Sequence, residues 1–245
     1  MVELPRLTVV SRRVLTVLLG TIVLLVLAHG ARSALLLSWP PPRGLAQSEL
    51  LRILDIGGEA AAATWFTIAM LLAVVAVAVL IAVVERRAAS PVWRWWAGVA
   101  VVFTAASIDE QLQVHEMLVL PMRSLLGITS GPFWLAWVVP ALILVVVLAL
   151  LFAHFVVGLP ARTRAGLIIG IGVWLTGAIG VEMIDAATFP WRESLNPVPS
   201  HLISATITAV EESMEMLGIA LVLHTLLVHV RDDAVGSGGI RVAVR

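Results

Sequence analysis

The sequence predicts an all-α fold, a polytopic bundle of transmembrane helices, and three observations carry that expectation. Of 245 residues, 60% are hydrophobic and only 13% charged, against roughly 45–50% apolar in soluble domains. Six apolar stretches, at 14–37, 60–84, 92–120, 133–157, 165–189 and 201–230, are each long enough for a hydrocarbon core of about 30 Å, which takes about 20 helical residues. The connections between them hold helix breakers: Trp39-Pro40-Pro41-Pro42, Ser90-Pro91, Pro121 with Gly131-Pro132, Gly158-Leu159-Pro160 and Asn196-Pro197-Val198-Pro199.

The first span starts after Arg12-Arg13, and its apolar run resumes through Leu35-Leu36-Leu37, which favours a span over a cleaved signal peptide ending near Ala28-His29-Gly30. Between the first two spans, 48–58 has apolar residues at helical spacing and reads as a helix on the outer surface. The remaining spans fill the chain, leaving 1–245 as a single integral membrane domain with a flexible cytoplasmic tail at 231–245. Orientation follows from arginine, because positive loops stay in the cytoplasm. With the N-terminus inside, eleven Arg face inward and five outward, so both termini are expected in the cytoplasm. Trp93, Trp95 and Trp96 at one end and Trp134 and Trp191 near the other suit interfacial aromatic belts.

Composition excludes several functions. Sixteen basic and sixteen acidic residues balance, so no basic surface matches nucleic-acid phosphates and no nucleic-acid partner is expected. With no Cys there is no disulfide, thiol nucleophile or thiolate metal site. Every basic residue is Arg, which removes lysine Schiff-base chemistry and a retinal linkage.

Half of the acids lie inside expected spans: Asp109, Glu110 and Glu116 on the third, Glu182 and Asp185 on the fifth, Glu211, Glu212 and Glu215 on the sixth. Unpaired in lipid, eight charges would cost on the order of 20 kcal/mol or more. On a continuous third helix Asp109, Gln113 and Glu116 would share one face, with His115 turned about 120° from Asp109. Glu182 and Asp185 are i, i+3 neighbours, and Glu211, Glu212 and Glu215 span an arc of about 100°. Asp109 comes out about 18 Å from the inner edge and Glu211 and Glu212 about 12–14 Å below the outer edge, nearly one level. Arg32, Arg123 and Arg192 are expected at the outer rim, able to cover one or two acids.

Divalent cations or protons would neutralise the rest, since hard ions take carboxylate oxygens and burial favours protonation. The expected metal ligands are Asp109, Glu116, Glu182, Asp185, Glu212 and Glu215, with His115 as a further candidate at the outer edge, and one or two ions of Fe, Mn or Zn. Glu110 and Glu211 remain as bridging ligand or general base, the catalytic candidates. Glu182-x-x-Asp185 and Glu212-x-x-Glu215 have the spacing of di-iron carboxylate bundles, with a carboxylate where that pattern has His. A polar core that serves helix contact alone, with Gln113, Ser204 and Thr208, is the plain alternative. His154, His224 and His229 read as structural helix-end residues; His29, Arg32 and Glu59 are at a depth to join the pocket, and His201 and Glu193 could line its entrance.

Familiar intramembrane motifs fail. His115-Glu116-Met117-Leu118-Val119 lacks the second His of a zincin helix. Glu211-Glu212 has Met216 where the prenyl-protein protease pattern needs Arg. The His boxes of membrane desaturases are absent from the sequence, and Ser130-Gly131 lacks a rhomboid-type partner. By contrast, Ser107-Ile108-Asp109-Glu110, followed by His115-Glu116, and Glu211-Glu212-Ser213-Met214-Glu215-Met216-Leu217-Gly218 resemble a family of bacterial six-span membrane proteins. In that family a Ser-Leu-Asp-Glu…His-Glu helix precedes a Glu-Glu-x-x-Glu-x-x-Gly helix. The resemblance implies the six-span layout and carries no activity across. Usage poor in Lys and rich in Ala, Val and Arg fits a high-GC bacterium, hence a multi-pass protein of the bacterial plasma membrane.

The function expected from these residues is an outward-facing intramembrane carboxylate cluster that binds one or two divalent metal ions. It would serve a metal-dependent oxidoreductase or hydrolase acting on a lipophilic small molecule within the lipid bilayer. The rivals are a cation- or proton-coupled transporter, with carboxylates protonated in sequence, and an accessory structural subunit.

Overall fold

The computed structural model describes residues 5–38 and 44–236, with side chains described at 11–38 and 44–232. The expected breaker at 39–42 and the tail from 237 onward fall outside those residues. Among the described residues there are helices and turns and no strand. The helices are α1 (Pro5–Ser38), α2 (Leu45–Ile53), α3 (Ala62–Arg87), α4 (Trp93–Leu112), α5 (Val114–Met117), α6 (Val119–Leu126), α7 (Val138–Gly158), α8 (Ala161–Leu175), α9 (Glu182–Glu193) and α10 (Pro197–Gly236). A π-helical turn, Thr176–Val181, joins α8 to α9.

Five stretches are long and apolar enough to cross a membrane: Ser11–Ser38, Ala62–Arg87, Val138–Gly158, Ala161–Glu193 and Pro197–Asp232. Large apolar side chains such as Leu24, Val101 and Leu150 are more than 60% exposed along these helices and α4, an exterior compatible with lipid. α4 is not one of the five, since Arg94, Asp109 and Glu110 interrupt its 20 residues.

Three sequence expectations are corrected. The third span, 92–120, is not one helix: α4 ends at Leu112, Gln113 takes the left-handed conformation at φ 50° and ψ 43°, and α5 and α6 follow in new directions. The fifth, 165–189, starts earlier at Ala161 and contains the π turn. The fourth begins at Val138 rather than 133, because Arg123 on α6 holds the chain back: its guanidinium lies 3.4 Å from the Trp134 ring and it donates to the Trp134 carbonyl. The surface helix expected within 48–58 is present as α2, with none of its residues buried.

α10 is the axis of the fold. It packs against α1, α3, α8, the π turn and α9, and Met216, Ile219, Ala220, Val222 and Leu226 on it are fully buried. α3 and α4 run side by side on its flank, and α7 joins mainly through Phe152 and Phe155 against Trp95 and Trp96, with ring centroids 5.1–5.9 Å apart. At the opposite end from the acids, His229 stacks near Trp96 at 5.1 Å and bonds Thr163, while His224 Nδ1 donates to the Ser11 carbonyl at 3.2 Å.

The α8–α10 contact is backbone on backbone. A Cβ at Gly170 would stand 2.9 Å from the Val222 nitrogen and 3.0 Å from the Gly218 carbonyl, and one at Gly218 would run into the Trp174 backbone. Small residues allow such approach where dispersion, not solvent expulsion, joins helices in lipid. Gly218→Ala therefore overpacks the bundle axis at a cost of about 1–3 kcal/mol and is expected to lower the thermal-unfolding midpoint in detergent. Gly20→Ala, with open space around the added methyl, is expected to leave the midpoint unchanged.

Candidate functional site

The end of α4 is set by a side chain. Asp109 Oδ1 accepts the backbone N–H of His115 at 2.9 Å, and Asp109 Oδ2 accepts from His115 Nδ1 at 2.7 Å. An Asp that captures a nearby main-chain N–H competes with the helical ladder, and here the turn at Gln113 is the result. The interaction reverses the expected geometry, in which His115 pointed away from Asp109. Glu116, expected on the Asp109 face, instead lies exposed on the short helix α5 beyond the break.

His115 also lies against Trp137, ring centroids 4.5 Å apart, and Trp137 Nε1 donates to Glu182 Oε1 at 2.7 Å. Glu182 is thereby tied to the start of α7. Its placement depends on the π turn. In an unbroken α-helix Trp174 and Glu182, eight residues apart, would sit about 80° apart around the axis; the extra residue of a π turn reduces this to about 20°. Both therefore face α10, where the Trp174 side chain lies beside Glu215 and Glu182 is an electrostatic neighbour of Glu211. Gly177 makes this possible, since its Cβ would stand 2.9 Å from the Glu211 carbonyl and 3.1 Å from Glu215 Cγ.

The three α10 acids are joined to one another and to α4. Glu211 has Glu182, Asp185 and His115 as charged neighbours, Glu212 has Glu110, Glu211 and Asp55, and Glu215 has Glu212, Glu110 and Glu211. No arginine stands among these neighbours. Asp185 is different: Arg192 Nη2 reaches its Oδ1 at 2.6 Å and its carbonyl at 3.0 Å, and Arg192 Nη1 donates to Ser204 Oγ at 2.6 Å. Arg192, expected at the rim, is 4% exposed. Arg192 follows Asp185 by seven residues, about two turns of α9, and so shares its face.

A loop closes one end of the site. Asp55, whose part the sequence reading missed, binds Arg32 Nη2 at 2.6 Å, and the buried His29 accepts the Ile56 N–H at 3.2 Å on Nδ1 and donates to the Ala205 carbonyl at 3.3 Å from Nε2. These bonds hold Gly57 on α10, where a Cβ would collide with the Thr208 methyl and stand 3.9 Å from Glu212 Oε1. His29 and Arg32 thus reach the site by holding its cover, whereas Glu59 and Glu193 are exposed. His201 Nε2 is buried without a hydrogen-bond partner.

Of the expected metal ligands, Glu182, Glu212 and Glu215 come together around Glu211 and Glu110. Asp109 is bonded to His115, Asp185 to Arg192, and Glu116, exposed on α5, is a charged neighbour of His115 and Glu182. Among the described residues no three His, Asp or Glu side chains are arranged to share a metal ion. The Trp137 and Trp174 contacts were not anticipated, because an apolar-span count reads tryptophan as packing or interfacial belt.

The family described as "Domain of unknown function (DUF8692)" matches residues 15–230. The chain belongs to this family, whose extent takes in all of the helices that build the site. No curated protein and no solved structure matches the chain.

The Asp185–Arg192 pair yields a stability prediction. Arg192→Gln strands a carboxylate that is 29% exposed and is expected to cost about 3 kcal/mol, the low end for a broken buried pair. The double variant Asp185→Asn/Arg192→Gln should recover most of that loss in detergent unfolding, because the uncompensated charge is gone.

Proposed function

We propose that the chain is a six-span membrane protein with both termini in the cytoplasm, and that it works as a proton-coupled transporter whose intramembrane carboxylates pass protons in sequence. α4 supports the sixth span by length, since 20 residues rise about 30 Å, one hydrocarbon thickness. The arginine count of eleven against five supports the orientation.

The observation that carries the reading is the order of the neighbours. His115, paired with Asp109 near the break of α4, neighbours Glu211; Glu211 neighbours Glu212; Glu212 neighbours Glu110 and Glu215. Such a line of acids, without arginine, needs exchangeable positive charge in low dielectric. The proton is the smallest cation that needs no preformed coordination sphere. Beyond Glu215 toward the other face, Met216, Ile219 and Ala220 are fully buried, so that side is closed by hydrocarbon while the loop 55–58 covers Glu212 on the opposite one. Movement of α8 and α9 on α10 about the π turn would open the hydrocarbon side.

A second reading, a resident divalent ion of Fe, Mn or Zn serving an enzyme on a lipophilic substrate, rests on one feature. Asp109 holds His115 by Nδ1, and Nε2 makes no hydrogen bond among the described residues, with Glu182 and Glu116 as charged neighbours. A carboxylate that orients a metal-bound His is a frequent outer-shell arrangement. Three ligands would still have to swing together.

Potential-driven proton entry into proteoliposomes tests the first reading. The parent chain should admit protons above the rate of protein-free vesicles, with about a tenfold or greater loss in Glu212→Gln and Glu215→Gln and a smaller loss in His115→Gln. Proton entry equal to empty vesicles, together with stoichiometric Fe, Mn or Zn that His115→Gln removes, would reject it for the second.

A further inference from the structure

At the end of the bundle away from the acids, α3 and α4 leave a recess of about 370 Å³ between them. Its walls are Val75, Val79 and Val83 from α3 and Ala97, Val101 and Thr104 from α4, and its mouth is Arg86 and Trp93. Val79, Val83 and Val101 are 41–68% exposed, so the recess opens sideways, toward the lipid.

Its two ends differ in chemistry. The wall runs eleven steps along either helix, from Val75 to Arg86 and from Trp93 to Thr104, about 16 Å at 1.5 Å per residue, and between the mouth and Thr104 its lining is hydrocarbon. That is half of a hydrocarbon core of about 30 Å, the depth of one leaflet. At the mouth, the Arg86 guanidinium lies 5.2 Å from the Trp93 ring centroid and that of Arg94 5.8 Å from it. The indole holds two cations on one ring. Both arginines are exposed, and among the described residues no carboxylate pairs with Arg86, Arg87 or Arg94. Glu85 on the same turn leaves the three with excess positive charge.

We propose that the α3–α4 recess binds one anionic phospholipid, an acyl chain lying along Val75–Val83 and Ala97–Thr104 and the phosphate held between Arg86 and Arg94. Length selects a lipid of the leaflet at that end, and charge complementarity selects an anionic headgroup over a zwitterionic one. Guanidinium groups bind phosphate oxygens in pairs, and basic recesses between membrane helices take acidic headgroups by the same rule. The two arginines sit at helix ends joined by the turn at 88–92, so a bound lipid bridges α3 to α4 beside the Arg86–Trp93 contact.

The test is native mass spectrometry of the full chain released from nanodiscs of phosphatidylglycerol and phosphatidylcholine in equimolar mixture. The parent should retain one phosphatidylglycerol in preference to phosphatidylcholine. Arg86→Gln and Arg94→Gln should each lower that preference about fivefold, the equivalent of about 1 kcal/mol per arginine at a membrane surface, while Arg86→Lys retains most of it. Val101→Trp, which fills the recess from an exposed position and spares the bundle axis, should remove retention of both lipids. Arg162, exposed and outside the recess, gives the control: Arg162→Gln should match the parent. Equal retention of both lipids by the parent, an unchanged preference in Arg86→Gln and Arg94→Gln, or an equal loss in Arg162→Gln would overturn the proposal, the last pointing to general surface charge.

Discussion

Partial burial of Glu211, Glu212 and Glu215 on α10, against which α1, α3, α8, the π turn and α9 pack, is the constraint on which the rest of the arrangement depends. Carboxylates at the axis of an apolar bundle cannot be left as bare charges. The neighbours answer this in three ways. Trp137 donates a hydrogen bond to Glu182, and the Trp174 side chain lies beside Glu215. A buried arginine takes Asp185 out of the set. The loop 55–58 closes over Glu212 and is itself fastened by Arg32 and His29. What these leave unmatched, Glu110, Glu211 and Glu212 above all, is the chemistry available for function.

Two departures from regular helix put those partners in place. The π turn at Thr176–Val181 changes the phase of the chain so that Trp174 and Glu182 face the same helix. The left-handed Gln113 turns the chain so that His115 comes back onto Asp109 and Trp137. Both spend backbone regularity close to the acids, and departures of this kind concentrate at functional sites.

The same comparison explains what the sequence disclosed and what it withheld. Helix positions followed from apolar run length and from Pro and Gly breakers, so α3 lies within three residues of expectation at either end and α1, α7 and α10 cover most or all of the stretches expected for them. Spacing on a helix also put Glu211, Glu212 and Glu215 on one arc of α10, but it gave no sign that Asp109 would be taken up by His115 and Asp185 by Arg192. The break at Gln113 did not follow, since Leu112-Gln113-Val114 holds no glycine or proline and its cause is a side-chain bond from Asp109. The π turn was equally hidden, as Thr176-Gly177-Ala178-Ile179-Gly180-Val181 reads as ordinary membrane helix. Arg192 was assigned to the rim from its place beside Pro190 and Trp191, although the fold of α9 buries it. Asp55 was passed over because an acid in a surface segment gives no sign of which arginine will hold it.

The protonation of Glu212 and Glu215 in the intact bilayer is the most direct test of this account, read by infrared spectroscopy of the chain in lipid at neutral pH. A protonated-carboxyl C=O band that shifts on exchange into heavy water and disappears in Glu212→Gln/Glu215→Gln is the predicted result. Carboxylate bands alone, unaltered by that double variant, would contradict it.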